Sequence, residues 1–247
     1  MSDYKILALD ETGKASFNHL SRNFILSGLI ISEKYKTALN AQICELKKKH
    51  FNNENIVLHC RDIIRKKGPF AILNGSIGSE INFWSEMIKI IDNKELSIAL
   101  IITNKDKARN IGWNDIAILK KSYNKILEEF TKKHLVNNKG KILAESDPYQ
   151  DKYLISAHNK LQSIGIPSEG ISSSDYRNKI TSLSLVNKLN FDAEIQLADS
   201  LAIMADLVYK MKIHAIEKPS DVEYMMIELV DKKIKDEKNP GIFEILV

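Results

Sequence analysis

Hydrophobic residues fall into two patterns along the chain, short continuous runs and longer stretches at helical spacing. A short apolar run bounded by turn residues predicts a buried strand, whereas apolar residues recurring at three or four positions predict an amphipathic helix. The predicted strands cover residues 4–9, 24–32, 96–103, 141–144 and 180–186. The predicted helices cover residues 33–50, 80–91, 115–135, 151–164, 194–211 and 221–234. Two strands, a helix and then mixed helices and strands indicate an α/β fold.

Residues 56–70 interrupt this pattern, because Gly68 and Pro69 break regular structure in a charged segment that we expect to be rich in loops. We find no internal repeat, low-complexity tract or proline-rich linker, since the five prolines are scattered. We therefore expect one domain over residues 1–247, with a C-terminal helical extension over about 215–247.

Composition narrows the class of protein. With 247 residues, 44% hydrophobic and 28% charged, the chain is neither disordered, collagen-like nor a coiled coil. Two cysteines, Cys44 and Cys60, are too few for a disulfide framework, so we expect a reducing compartment, the cytoplasm. No apolar run approaches the roughly 20 residues of a membrane span, and we expect no membrane association. The net charge of +4 permits nucleic-acid binding without requiring it.

Two acidic residues follow predicted strands directly. Asp10 comes after the strand over residues 4–9, and Glu145 comes after the strand over residues 141–144. Binding crevices of α/β sheets lie at such strand ends. The alternative is turn chemistry, in which each acid only caps a loop.

A third acid lies within an apolar helix. The segment over residues 194–208 is apolar over most of its circumference, and Asp199 and Asp206 share one narrow stripe flanked by Ile195 and Ile203. A carboxylate buried there needs a cation, a metal or a hydrogen-bond donor. The alternative is that the stripe faces water.

Asp10, Glu145 and Asp199 together suit a hard divalent cation, because Mg²⁺ and Mn²⁺ prefer oxygen ligands. Closely grouped carboxylates hold the ions of two-metal phosphoryl transfer, the chemistry that cuts phosphodiesters. We therefore predict Mg²⁺ or Mn²⁺ as the cofactor, held by these residues.

Four short motifs occur in order over nearly the whole chain: Leu9-Asp10-Glu11-Thr12-Gly13, Leu58-His59-Cys60-Arg61-Asp62-Ile63 with Lys67-Gly68-Pro69-Phe70, Ala144-Glu145-Ser146, and Gln196-Leu197-Ala198-Asp199. Together they resemble the domain-of-unknown-function-3800 family, which looks like a member of the ribonuclease H-like superfamily. The resemblance implies a ribonuclease H-like mixed sheet flanked by helices, with insertions. It implies an acidic metal site with Asp10 on the first strand, Glu145 on a later strand and Asp199 on a late helix. Glu11 and His59 would stand beside it.

Several other residues are candidates with ordinary alternatives. His59 follows an apolar run, which is consistent with a metal-ligating or water-orienting role or with a hydrogen-bonded core histidine. Basic residues in the loop and after the last predicted strand are candidates for phosphate contacts, although such residues are often only solvated: Arg65, Lys66, Lys67 and Lys188.

These features favour a metal-dependent nuclease or phosphodiesterase that acts on nucleic acid, with Glu11 or His59 orienting the water. DNA and RNA are not distinguished, and a protein partner and the oligomeric state are left open. The alternative is a catalytically idle module of the same fold that binds nucleic acid or an effector protein. A third reading, an ATP phosphotransferase of the actin and sugar-kinase kind, is disfavoured because Gly13 falls three residues after Asp10 rather than two.

Overall fold

The computed structural model describes residues 3–247, apart from the side chains of Ile77 and Lys188. Its central feature is a six-stranded mixed sheet in the order β5-β4-β1-β2-β3-β6. Strands β1, β2 and β3 are antiparallel neighbours, whereas β4 is parallel to β1, β5 to β4 and β6 to β3. The strands are β1 (Tyr4–Thr12), β2 (Asn23–Ser32), β3 (Leu96–Asn104), β4 (Lys139–Glu145), β5 (Ile180–Val186) and β6 (Ile242–Ile245).

Helices connect the strands and cover both faces of the sheet. They are α1 (Lys36–Phe51), α2 (Cys60–Ile64), α3 (Ile77–Ile91), α4 (Lys105–Asn110), α5 (Asp115–His134), α6 (Asp151–Ile164), α7 (Ser173–Lys179), α8 (Ala193–Lys212) and α9 (Asp221–Ile234). Short 3₁₀ turns lie at Glu33–Tyr35, Gly68–Asn74, Pro167–Glu169 and Lys188–Asn190. Across residues 3–247, no helix combines the length and apolar character needed to cross a membrane.

The alternation of side chains along β1 divides the core into two layers. Ile6 and Ala8 point to one face, where they join a hydrophobic cluster that includes residues of α1, α3, α8 and α9. Leu7 and Leu9 point to the other face and join a cluster that includes residues of α5, α6 and α7. Both faces of the central strands are therefore buried, which explains why β1 and β2 are continuous apolar runs in the sequence.

The predicted α/β fold class, a mixed sheet flanked by helices, is confirmed, and each predicted strand and helix has a counterpart. The structure adds elements that the pattern does not predict. Residues 60–64, expected in a loop, form α2, and the short helices α4 and α7 are also new. The tail, expected to be helical, ends in β6, which has only four residues and is held by pairing with β3. Such short elements leave no measurable periodicity.

Candidate active site

Three acidic side chains from distant parts of the sequence line one cavity of about 350 Å³. Leu9 of β1 pairs in parallel with Ala144 of β4, so Asp10 and Glu145, the next residue of each strand, lie side by side near the carboxyl end of β4. Asp199 reaches the cavity from α8, which packs on β1 and β2. Glu11 and His59 line it as well, so the structure brings together all five residues that we predicted as catalytic.

A buried hydroxyl ties the strand that carries Asp10 to the helix that carries Asp199. Ser27 of β2 lies directly opposite Asp10 in the strand register and is completely buried. Its Oγ lies 3.0 Å from the carbonyl oxygen of Asp10 and 2.8 Å from the carbonyl oxygen of Ala198, so its single hydrogen is shared between these two acceptors. One side chain therefore sets the spacing between the backbones of β1 and α8 at the two acids.

Helix α8 also holds the segment that contains His59. The backbone N–H of Leu58 donates to Oε1 of Gln196 at 2.9 Å, and the N–H of Cys60 donates to Oδ2 of Asp199 at 2.9 Å. These two bonds flank His59 and fix its backbone beside Asp199. The carboxylate of Asp199 is only 8% exposed, so this backbone donor offsets part of the cost of burying its charge.

The imidazole of His59 lies between two carboxylates. Its Nδ1–H donates to Oδ2 of Asp62 at 3.0 Å, and its Nε2 lies 4.0 Å from Oδ2 of Asp199. The hydrogen bond from His59 lowers the pKa of Asp62, so Asp62 remains ionised and fixes the ring orientation. His59 is thus an oriented, half-buried histidine at the cavity wall and not a core residue.

A turn after β4 holds Glu11 on the other side of the cavity. The amide Nε2 of Gln150 donates to Oε1 of Glu11 at 2.7 Å and to Oδ2 of Asp147 at 3.3 Å. The carboxylate of Asp151 accepts from the hydroxyl of Ser146 and from the N–H of Asp147, which closes the turn. The orientation of Glu11 therefore depends on the fold of residues 146–151.

Negative charge is concentrated beneath this turn. Tyr123 of α5 is buried, and burial together with the nearby carboxylates of Glu11 and Asp147 raises its pKa well above the usual value. Its phenol therefore stays protonated. Tyr123 is therefore a neutral buried group close to these carboxylates.

Positive side chains also line this cavity. Lys14, His19 and Arg61 are among its lining residues, the first two from the loop over residues 13–22 and the third from α2. Desolvation, followed by the charges of Lys105 and Lys14, lowers the pKa of His19, which favours its neutral form. The cavity therefore combines acids with the permanent cations Lys14 and Arg61.

A buried lysine braces the loop that carries these cations. The ammonium of Lys105 lies beneath the loop and donates to the carbonyl oxygens of Lys14, Ser16 and His19 at 3.2, 2.8 and 3.1 Å. The loop starts at Gly13, whose φ of +72° favours glycine and where a Cβ would lie 2.4 Å from the carbonyl oxygen of Asn23.

Three of the predicted basic residues, and Asp206, do not line this cavity. Arg65, Lys66 and Lys67 are not among the described residues that line the cavity, and Lys66 forms an ion pair with Glu80 at 2.7 Å. The side chain of Lys188 lies outside the described part of the structure. Asp206, expected in a stripe with Asp199, accepts from Asn23 at 3.0 Å and pairs with Lys210 at 2.7 Å, away from this cavity.

The donor chemistry of the cavity fits a hard divalent cation, because the carboxylates come from three separate elements around one opening. Among residues 3–247, however, no group of three or more His, Cys, Asp and Glu side chains could hold a metal ion as placed. Metal binding by Asp10, Glu145 and Asp199 therefore requires side-chain movement toward the ion, and it stays a prediction.

Four contributors to the site were not predicted from the sequence: Ser27, Arg61, Tyr123 and Gln150. Ser27 and Tyr123 are polar residues inside apolar periodic segments, which is a usable signal. Arg61 belongs to the second of the four motifs, but nothing in the sequence distinguishes it from the neighbouring basic residues. Gln150 lies in a polar turn with no distinguishing pattern.

The chain is similar in structure to a solved ribonuclease. A crystal structure of a mutant of Bst-RNase HIII matches 97% of this chain and 64% of that chain, with a TM-score of 0.44 and 10% sequence identity. The chain thus spans less than two thirds of that structure's length. No protein-family model and no curated protein matches the chain. The expected mixed sheet flanked by helices is present, and Asp10, Glu145 and Asp199 lie on β1, β4 and α8.

Proposed function

We propose that the protein is a divalent-metal-dependent phosphodiesterase that acts on nucleic acid. The observation that carries this proposal is the convergence of Asp10, Glu145 and Asp199, from β1, β4 and α8, on one open cavity that Lys14 and Arg61 also line. Carboxylates that can take up metal ions and cations that can take up phosphate are the two charge groups that phosphodiester hydrolysis needs.

The proposal includes the family suggested by the motifs. Residues of all four motifs line the cavity, among them Asp10, Arg61, Glu145 and Asp199. Sequence segments far apart in the chain thus meet at one place, which supports membership of the domain-of-unknown-function-3800 family.

In this proposal Asp10, Glu145 and Asp199 hold Mg²⁺ or Mn²⁺. The bound cation would act as a Lewis acid that activates water and stabilises the leaving oxygen. Lys14 and Arg61 bind the non-bridging phosphate oxygens and orient the substrate, and the flat guanidinium of Arg61 is suited to contact two of them. Arg65, Lys66 and Lys67 are then outer contacts to the nucleic acid beyond the cavity.

His59 is the better candidate of the two residues proposed to orient water. Its Nδ1 is occupied by Asp62, which leaves Nε2 as the ring atom facing Asp199 and the cavity. Glu11 is held by Gln150 and contributes its charge from a fixed position.

The test is cleavage of fluorescent single-stranded and duplex DNA and RNA in Mn²⁺, Mg²⁺ or EDTA, with the variants Asp199→Asn and Glu237→Gln. Both variants remove one negative charge, but only Asp199 lines the cavity with Asp10, whereas Glu237 is exposed beyond α9. We expect Asp199→Asn to reduce cleavage by about two orders of magnitude or more and Glu237→Gln to retain it.

Cleavage that persists undiminished in EDTA would refute metal dependence. If no substrate is cleaved in any ion while nucleic acid still binds at the cavity, the alternative of a catalytically idle module replaces the proposal. Equal cleavage by the two variants would remove Asp199 from the site.

A further inference from the structure

A second cavity, of about 480 Å³, adjoins the candidate active site. The two cavities share Thr12, Gly13 and Ile203 as walls, so ligands bound in them would be close neighbours. The second cavity is further bounded by the end of the β1–β2 loop, the end of β3 and the last turns of α8. Its volume lies in the range of small-ligand sites.

One wall of this cavity contains a polar group that the protein leaves unsatisfied. Tyr209 of α8 lines the cavity and is only 2% exposed, and its hydroxyl has no hydrogen-bond partner among the described residues. A buried hydroxyl without a partner destabilises a protein, so its presence beside a cavity calls for an explanation. A ligand in the cavity is the explanation that the surroundings favour.

Next to Tyr209 the wall consists of a fixed polar network. Lys210 pairs with Asp206, Asp206 accepts from the amide of Asn23 at 3.0 Å, and Asn23 accepts from the amide of Asn104 at 3.3 Å. Each side-chain amide nitrogen carries two hydrogens and uses one of them in this network, so each can donate its second hydrogen to a ligand. The network presents amide groups in defined positions.

The rim of the cavity is apolar and carries a cation. Leu20 is 99% exposed and Ile213 is 48% exposed, so both offer apolar surface to a flat ring. Arg22 is exposed, and its guanidinium has no hydrogen-bond or ion-pair partner among residues 3–247. Apolar edges, amide donors and a free guanidinium are complementary to the base and the phosphate of a nucleotide.

We propose that the second cavity binds one unpaired nucleotide next to the phosphodiester held in the first cavity. Its base lies between Leu20 and Ile213, with Tyr209 as a hydrogen-bond partner, and Arg22 contacts its phosphate. A base can enter such a cavity only when it is out of a double helix. The proposal rests on the proposed function and assigns its substrate class, single-stranded nucleic acid.

The test is the affinity for a short fluorescent single-stranded oligonucleotide in EDTA, together with thermal unfolding, for the wild type and Tyr209→Phe. The variant should bind about 3- to 10-fold more weakly, because one hydrogen bond to the ligand is lost. Its melting temperature should be equal to or higher than that of the wild type, since a buried unsatisfied hydroxyl is removed.

Tyr176→Phe is the matched control. Tyr176 is also fully buried, but its hydroxyl is hydrogen-bonded to Nδ1 of His158 at 3.0 Å, and it lines neither cavity. This variant should melt below the wild type and bind the oligonucleotide with unchanged affinity. Arg22→Ala should lower the slope of log affinity against log salt by about one, whereas Lys120→Ala, on the exposed face of α5, should leave it unchanged.

Three results would overturn the proposal: an unchanged affinity in Tyr209→Phe, a lower melting temperature for that variant, or equal affinity of the wild type for a blunt duplex of the same sequence. Because binding is measured in EDTA, it does not depend on cleavage. A protein that binds single strands through Tyr209 and cleaves none of them in Mn²⁺ refutes the proposed function and leaves this site standing.

Discussion

Replacing Ser27 by alanine tests whether the spacing of the two acid-bearing elements matters. The buried hydroxyl of Ser27 shares its one hydrogen between the carbonyl oxygens of Asp10 and Ala198, and this shared hydrogen bond is lost in Ser27→Ala. We expect the free energy of unfolding to fall by about 1 kcal/mol. For a chain of 247 residues, that corresponds to a decrease in melting temperature of about 3 °C.

Ser27→Ala should lower the rate of cleavage by more than its loss of stability explains. Without the bridge the carbonyls of Asp10 and Ala198 are free to separate, and a misplacement of catalytic groups by a fraction of an ångström costs about tenfold or more in kcat. Ser97→Ala is the control, because Ser97 is equally buried, lies in β3, donates to the carbonyl of Pro240 at 3.1 Å and does not line the cavity.

The assays are thermal unfolding and steady-state cleavage well below the melting temperature of each variant. Ser97→Ala should lose about 1 kcal/mol and keep its kcat. The reasoning fails if Ser27→Ala is as stable as the wild type, or if both variants lose stability but neither loses activity. The second result would make Ser27 a core residue without a role in positioning.

Two further predictions concern the loop and the core. Gly13→Ala should destabilise the loop over residues 13–22 and weaken oligonucleotide binding, because its φ is +72° and the added Cβ would meet the carbonyl of Asn23; unchanged binding would show that the loop adapts. Burial lowers the pKa of His134 to about 4, from a usual value of 6.5. Because the unfolded chain takes up this proton first, stability should fall between pH 6.5 and about 4 by about 3 kcal/mol. Urea unfolding of the wild type and His134→Leu should show this difference, and identical pH dependence of the two would contradict it.

The sequence predicted the fold well where periodicity is long and strong. Strand β2 is buried throughout, and α5 extends over twenty residues, so both appear as clear apolar patterns. It failed at α2 and β6, which are too short to show a period and which form through contacts made elsewhere. Helix α2 is held by the bond from Cys60 N–H to Asp199, and that contact joins residues that are 139 positions apart.

The candidate site was predictable in part for the same reason. Asp10 and Glu145 follow apolar strands and Asp199 interrupts an apolar helix, so each is visible locally. The cations of the site cannot be recognised in this way, because the chain contains 36 lysines and arginines and charge alone does not distinguish those at the cavity from the others. The sequence favoured Arg65, Lys66 and Lys67, whereas the start of α2 directs Arg61 to the cavity.

The most direct test of the central claim is a crystal of the protein soaked with Mn²⁺ and measured for anomalous scattering. The account predicts manganese in the first cavity, ligated by Asp10, Glu145 and Asp199, whose side chains must move toward the ion. It also predicts that the peak disappears in Asp199→Asn crystals and persists in Asp206→Asn crystals. Manganese bound only elsewhere, or an unchanged peak in Asp199→Asn, would contradict the assignment of these three carboxylates as a metal site.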